Sequence, residues 1–292
     1  MSNHKRTKQI RKFLTFGAIP LSIFLAVLVY PFAQGLFLTF TDWNGFGYTK
    51  LAGFANYTKS LKDPAFWTTL GFTLKFVIVS VVLVNAVAFG LALLVTTKLK
   101  SSNIFRTFFF IPNLIGGVIL GVIWQFIFNT AIVSVATKFK IPFFQDSWLQ
   151  DTNKAFWALV IVTIWQSSGY MMIIYITGLI SIEQDVLEAA RVDGASPLRM
   201  LTAIKIPLMA QAFTISLFLT MRGGFMAYDV NLALTGGGPY RTTELISMHI
   251  FQEAFAFAHF GTGQAKAVLM FIMVALAALI QVAVSKRMEV QQ

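Results

Sequence analysis

Cysteine is absent from all 292 residues, so disulfides and thiolate metal sites are excluded and the redox compartment is left unspecified. Charge is scarce. Asp, Glu, Lys and Arg make up 12% of the chain, about half of the roughly 25% usual in soluble domains. That is too little to cover a water-facing surface. Histidine occurs three times, as His4, His249 and His259, and none stands in an H-E-x-x-H arrangement or beside a compact carboxylate cluster. A G-x-x-x-x-G-K-[ST] phosphate loop is also missing, so the chain cannot hydrolyse ATP for itself. Internal repeats with a period of roughly 20–50 residues are not evident.

What remains is apolar: 57% of residues are hydrophobic and 30 are Phe. A hydrocarbon core of about 30 Å takes roughly 20 helical residues to cross. Six stretches qualify, at about 13–40, 70–95, 106–128, 155–180, 208–230 and 265–285. Strands would leave backbone polar groups unpaired in lipid, and no stretch alternates as a barrel strand does. The expected fold is therefore all-α, a polytopic membrane protein of six transmembrane helices forming one domain over residues 1–292. The first stretch exceeds one span, and Pro31 suits a bend or tilt. Its basic prelude (Lys5, Arg6, Lys8, Arg11, Lys12) mimics a signal peptide. The apolar run to Phe40 far exceeds a cleavable core of roughly 7–15 residues, which favours an uncleaved span.

The net charge of +11 has a membrane explanation rather than a nucleic-acid one. Thirteen of the 23 Lys and Arg fall on one side of the six spans: the five N-terminal ones, Lys98, Lys100, Arg106, Arg191, Arg199, Lys205, Lys286 and Arg287. The opposite side carries Lys50, Lys59, Lys62, Lys138, Lys140, Lys154 and Arg241 in longer loops. The positive-inside rule makes the first side cytosolic, with both termini there. Trp43, Tyr48, Tyr57, Trp67, Trp148 and Tyr240 lie near span ends and read as interfacial anchors. Lys75 and Lys266, near outer span ends, are expected to snorkel.

Between the fourth and fifth stretches lies a polar cassette, residues 181–207. Ser181 and Gln184 form a weak capping box, with Glu183 and Asp185 suiting a helix start. Gly194 suits a chain break. Ser196-Pro197 reads as the cap and first residue of a second short helix, which Pro207 closes. The pattern alone fits either an interfacial hairpin joining two spans or a docking element on the cytosolic side.

Polar residues also recur within the spans. Thr163, Gln166, Ser167 and Tyr170 share one face of the fourth. They suit either inter-helix hydrogen bonding or a hydrated path for hydroxyl-rich ligands. Thr220, Gly223, Gly224 and Ala227 repeat the theme in the fifth span, and Asn113, Gly116, Gly117 and Trp124 in the third. Arg222 stands about 21 Å along the fifth helix, counting from Leu208 at roughly 1.5 Å per residue. It can snorkel, pair with Asp229, or meet the carboxylate of an acidic sugar.

Glu188, Ala189, Ala190, Asp193, Gly194, Ala195, Ile204 and Pro207 resemble the "EAA" loop of ABC-importer permeases, with Ile206 where Leu is usual. Asp229 followed by Leu234-Thr235-Gly236-Gly237-Gly238-Pro239 resembles the loop after span five in permeases of the maltose and multiple-sugar type, as does the stretch from Ile111-Pro112 to Trp124. Together these cover most of residues 100–270. A charge at the position of Arg222 departs from the family pattern. The resemblance implies a non-catalytic permease subunit of a binding-protein-dependent carbohydrate importer in the bacterial cytoplasmic membrane. It implies ATPase coupling through Glu188, Ala189, Ala190, Asp193, Gly194, Ala195 and Pro207. Sugar contacts are expected from Gln166, Ser167, Tyr170, Thr163, Thr220, Gly224 and Arg222. No cofactor or metal is expected on this chain, ATP-Mg being bound by partners. Those partners are a second, different permease, two cytoplasmic ATPases and an external solute-binding protein. Two other classes compete: an ion-coupled secondary transporter, for which Asp229 is the sole candidate carboxylate, and a polytopic membrane enzyme.

Overall fold

A computed structural model describes residues 13–97 and 102–286. The basic N-terminal residues, Lys98, Lys100 and Arg287 lie outside the described residues. Leaving short 3-10 turns aside, the helices of the described residues are, in order, α1 Ala18–Leu38, α2 Ala55–Lys62, α3 Pro64–Val95, α4 Ser102–Phe110, α5 Gly117–Phe139, α6 Thr152–Ile180, α7 Gln184–Val192, α8 Pro197–Leu208, α9 Ala210–Phe225, α10 Asp229–Leu234, α11 over 246–256 and α12 Phe260–Lys286. The only β pairing among the described residues is one antiparallel bridge, Thr41 with Leu51. Among the described residues five helices (α1, α3, α5, α6, α12) are long and apolar enough to cross a membrane, or six if α8 and α9, bent by 71°, count as one span.

Two compact units divide the chain: the described residues up to Pro64 with Ile250–Leu269, and Ala65–His249 with the residues from Met270 onward. In the second unit α6 is the central helix, with half of its most apolar window buried. Its glycines set how closely neighbours approach. A Cβ on Gly169 would lie 1.8 Å from Phe109 O, so α4 runs backbone-to-backbone against α6. A Cβ on Gly178 would lie 2.7 Å from that of Ala212 on α9. Small residues permit such contacts where apolar burial gives helices no reason to associate. Gly169→Ala is expected to lower stability by about 3 kcal/mol, because carbonyl backbone cannot yield as a side chain would. Gly90→Ala, where nothing lies within 4 Å of the new methyl, serves as control. Thermal midpoints in detergent that fall equally for both would contradict this.

Three expectations change here. The third apolar stretch is not continuous over 106–128. Pro112 lacks the N–H that a helix needs, so a tight turn over Ile111–Leu114 ends α4, and the spanning helix starts afresh at Gly117. Trp148 is no interfacial anchor: it is 8% exposed and stacked between Phe128 and Phe144, with centroids 5.4 and 5.3 Å away. Lys266 does not snorkel. Within the first unit its Nζ donates to Asp63 Oδ2 (2.6 Å) and Glu253 Oε2 (2.9 Å), and the side chain is 1% exposed. Lys75, by contrast, is exposed and its ammonium sits 4.5 Å above the Phe156 ring.

Candidate functional site

In the second unit α3, α5, α6, α9 and α10 enclose a cavity of about 400 Å³. Thr163, Gln166 and Ser167 of α6 line it, facing Thr220, Gly223 and Gly224 of α9, with Asn113 and Asp229 completing the polar wall. Glycine makes the enclosure possible. A Cβ on Gly117 would lie 2.7 Å from Asp229 Cβ, and one on Gly121 2.5 Å from Ala233 Cβ, so α10 sits directly on α5. Gly223 has nothing within 4 Å of its Cβ position, which leaves room in the cavity.

Hydrogen bonding separates the residues that line the space from those that hold it. Thr163 Oγ1 donates to Leu159 O (2.8 Å) and Gln166 Nε2 to Ile115 O (3.3 Å), which leaves Gln166 an unused donor and its carbonyl oxygen. No hydrogen bond among the described residues engages Ser167 Oγ, the Asn113 amide or the Asp229 carboxylate. Thr220 is already committed: its Oγ1 accepts from Asn85 Nδ2 (3.0 Å) and donates to Ser216 O (2.8 Å). Asn85 Oδ1 in turn accepts from Tyr175 OH (2.6 Å) and Ser216 Oγ (2.5 Å). This buried knot ties α3, α6 and α9 together, and the sequence reading missed it. A lone Asn amid the apolar run of α3 was the available signal.

Two expected site residues stand elsewhere. Tyr170 shares the face of Thr163 but lines a different cleft, and its ring lies 6.5 Å from that of Phe110. Arg222 is exposed and outside the cavity wall; among the described residues no ion pair joins it to Asp229.

One side chain of α10 reaches into the loop that follows it. Asn231 Nδ2 donates to Thr243 O (2.8 Å) and Thr235 Oγ1 (3.0 Å), while its Oδ1 accepts from Leu245 N (3.0 Å). Gly236 and Gly237 take φ of +57° and +81°, values that side chains rarely adopt. Burial raises the pKa of Glu244, but hydrogen bonds from His249 and a bidentate Arg241 (2.6 and 2.9 Å) override this and bring it down to about 2. Its contribution to stability is therefore full above the ordinary 4.5 and is lost as pH falls through about 2. Glu244→Gln at neutral pH is expected to speed tryptic cleavage after Arg241 by about tenfold through local opening. An unchanged cleavage rate would show that the loop does not depend on this pair.

Between α6 and α9 the cassette folds as a helical hairpin. Ser181 does not cap it: its Oγ donates to Gly178 O (2.8 Å), closing α6, and α7 begins after Glu183 without a side-chain cap. The end of α7 is a full Schellman motif. Ala195 N–H reaches Ala190 O (3.0 Å), Gly194 N–H reaches Arg191 O (3.0 Å), and Gly194 has φ +75°. Ser196 caps α8 by accepting from Arg199 N (3.3 Å), with Pro197 in the first turn. Pro207 does not end α8. In the wide turn over Met200–Lys205, Ile206 N–H reaches back five residues to Leu201 O, and the helix passes the proline to break at Met209. Ile182, Leu187 and Met200 form a small core under Ala190, Ala195 and Ile204. Glu188, Ala189, Asp193 and Gly194 are left exposed. Val192 and Leu198 are 87% and 70% exposed beside them.

Residues 86–290 match the family described as "Binding-protein-dependent transport system inner membrane component". The chain is 43% identical over 271 residues to the probable starch degradation products transport system permease protein AmyD of Thermoanaerobacterium thermosulfurigenes, covering 93% of this chain and 92% of that one. It is 30% identical to the multiple sugar-binding transport system permease protein MsmF of Streptococcus mutans, with 94% and 96% covered. Among solved structures, a bacterial ABC transporter involved in the import of the acidic polysaccharide alginate shares the fold, at TM-score 0.82 and 19% identity over 97% of this chain and 99% of that one. An alginate transporter in complex with an alginate pentasaccharide-bound periplasmic protein gives TM-score 0.78 at 20% identity, with 96% of each chain covered. None of these matches favours an ion-coupled transporter or a membrane enzyme. The chain belongs to the family of binding-protein-dependent transport system inner membrane components, and is a multi-pass, non-catalytic permease subunit of an ABC importer.

Proposed function

We propose that this chain forms half of the membrane pathway of an ATP-driven importer of sugars or oligosaccharides, as one membrane domain spanning residues 1–292. The observation that carries this is the cavity in which Thr163, Gln166, Ser167, Thr220 and Gly224, drawn from two spans, meet around a space of about 400 Å³. Its free hydroxyl, amide and carboxylate groups suit a polyhydroxylated ligand, and its size is that of a small-molecule site. Arg222, standing outside the wall, snorkels rather than reads an acidic sugar. The α7–α8 hairpin is the coupling element. Glu188, Ala189, Asp193 and Gly194 present the surface, Ala190 and Ala195 anchor it, and Pro207 precedes the bend that passes its motion to α9. Two ATPases, which bind the ATP-Mg, grip this hairpin from the cytosol, where both termini also lie. A second, different permease completes the pathway in the bacterial cytoplasmic membrane, and an external solute-binding protein delivers the sugar.

Because the chain has no cysteine, Glu188→Cys gives a single cross-linking point. We expect it to capture a nucleotide-hydrolysing polypeptide in the native complex, and to resist impermeant thiol reagents added outside whole cells. Capture of no such partner, or labelling from outside, would overturn the reading.

A further inference from the structure

A second cleft of about 610 Å³ lies beside the bend between α8 and α9. Tyr170 and Thr177 of α6, with Ser181 just past its end, line it opposite Pro207 and Gln211. The two spaces are stacked along the same pair of helices: Ser167 of the first and Thr177 of the second are ten residues apart on α6, about 15 Å at roughly 1.5 Å per residue. Among the described residues one side chain, Leu219 of α9, lines both. The second cleft repeats the chemistry of the first. Tyr170 offers an aromatic face and a hydroxyl, Gln211 an amide, and no hydrogen bond among the described residues engages either. Both volumes fall within the range of small-molecule sites, roughly 300–1,000 Å³.

We propose that the second cleft is a further carbohydrate station on the same route, and that Leu219 is the septum between the two. This rests on the reading of the chain as a sugar permease. A polyhydroxylated ligand leaving the first cavity exchanges its hydrogen bonds with Gln166 and Ser167 for those of Gln211 and Tyr170. The apolar side chain that lines both spaces offers it neither donor nor acceptor, so passage stays slow until α9 moves. Hydrophobic constrictions gate channels on the same principle. The bend at Met209 places that movement next to the cleft.

The test uses the complete complex with its native partners in proteoliposomes, with maltose and maltoheptaose as probes. In single-cysteine variants Ser167→Cys and Thr177→Cys, saturating maltoheptaose is expected to slow thiol modification of this subunit about tenfold at each position, the effect of roughly 90% occupancy. Protection of Ser167→Cys while Thr177→Cys reacts at its free rate would overturn the second station. Leu219→Ala is expected to raise nucleotide-free efflux of preloaded maltose about tenfold, a barrier about 1.4 kcal/mol lower. Leu219→Trp should depress uptake of maltoheptaose more than that of maltose. Gly90→Ala, which lines neither space and meets nothing within 4 Å, should match the parent and so separates a septum from a general effect of substitution within the spans. Parental flux and size preference in both Leu219→Ala and Leu219→Trp would overturn the septum. A parent complex that moves neither sugar overturns the carbohydrate reading itself, and this inference with it.

Discussion

Gly194→Val is expected to reduce ATP-driven uptake by about a hundredfold, equivalent to about 2.7 kcal/mol of barrier, while leaving the protein in the membrane. Space is not the reason, since nothing lies within 4 Å of a Cβ placed there. Conformation is. Gly194 holds φ +75° at the end of α7, and a β-branched side chain in that region costs about 1–3 kcal/mol. The chain can relieve the cost only by giving up the two Schellman bonds, from Ala195 to Ala190 and from Gly194 to Arg191. Losing them swings α7 away from α8 and misdirects the surface that Glu188 and Ala189 present. A graded series follows. Gly194→Asn should retain most of the uptake, because Asn tolerates the left-handed region, and Gly194→Ala should fall between. Glu188→Lys probes the same surface without touching the turn, because Glu188 is exposed and its reversal leaves the small core of Leu187 and Met200 intact. It too should abolish stimulation of ATP hydrolysis by the loaded binding protein. Normal stimulation in either Glu188→Lys or Gly194→Val would refute the coupling role.

Much of this geometry was legible beforehand because it is local. Gly194 as a chain break and Ser196-Pro197 as a helix start depend on neighbours only a few residues away, and both stand as expected. Pro207 was misjudged because its effect depends on the turn before it. A proline ends a regular helix, but the wide turn over Met200–Lys205 carries α8 past the missing donor.

The polar stripe on α6 shows the limit of periodicity. Spacing of three, four and seven residues fixes a face of the helix but says nothing of depth. Thr163, Gln166 and Ser167 reach the first cavity, while Tyr170, on the same face and about 10 Å along from Thr163 at roughly 1.5 Å per residue, opens into the next cleft. Non-local pairing was less legible still. Asn85 meets Tyr175 and Ser216, 90 and 131 residues away, and no sequence period links them. Trp148 looked like an anchor for the same reason, its stacking partner Phe128 lying on another element.

Lys266→Met should destabilise the fold strongly. Removing one member of a buried ion pair costs about 3–5 kcal/mol, because the remaining charge has lost its partner. Here two carboxylates lose that contact: Asp63 and Glu253 both meet the ammonium, at 2.6 and 2.9 Å, and are themselves 28% and 13% exposed. Replacement by an apolar side chain of similar length isolates charge from packing. The pH dependence then distinguishes this account from a simple cavity. Burial raises the pKa of Glu253 in the parent protein, but hydrogen bonds from Lys266 and His259 hold it below its ordinary 4.5. The parent's stability from this group is thus fully present above the ordinary value and declines as acid protonates the carboxylate. In Lys266→Met the sign reverses. With the ammonium gone, burial and the mutual repulsion of two neighbouring carboxylates outweigh the bond that Glu253 keeps from His259, so their pKa values rise above the unfolded ones. Such groups stabilise the fold below the unfolded value and lose that contribution as pH climbs. The variant's thermal midpoint in detergent should accordingly increase as pH falls from about 7 to about 5, while the parent's stays level or drops. Parallel curves for the two proteins would mean that Lys266 acts through its hydrocarbon stem rather than its charge.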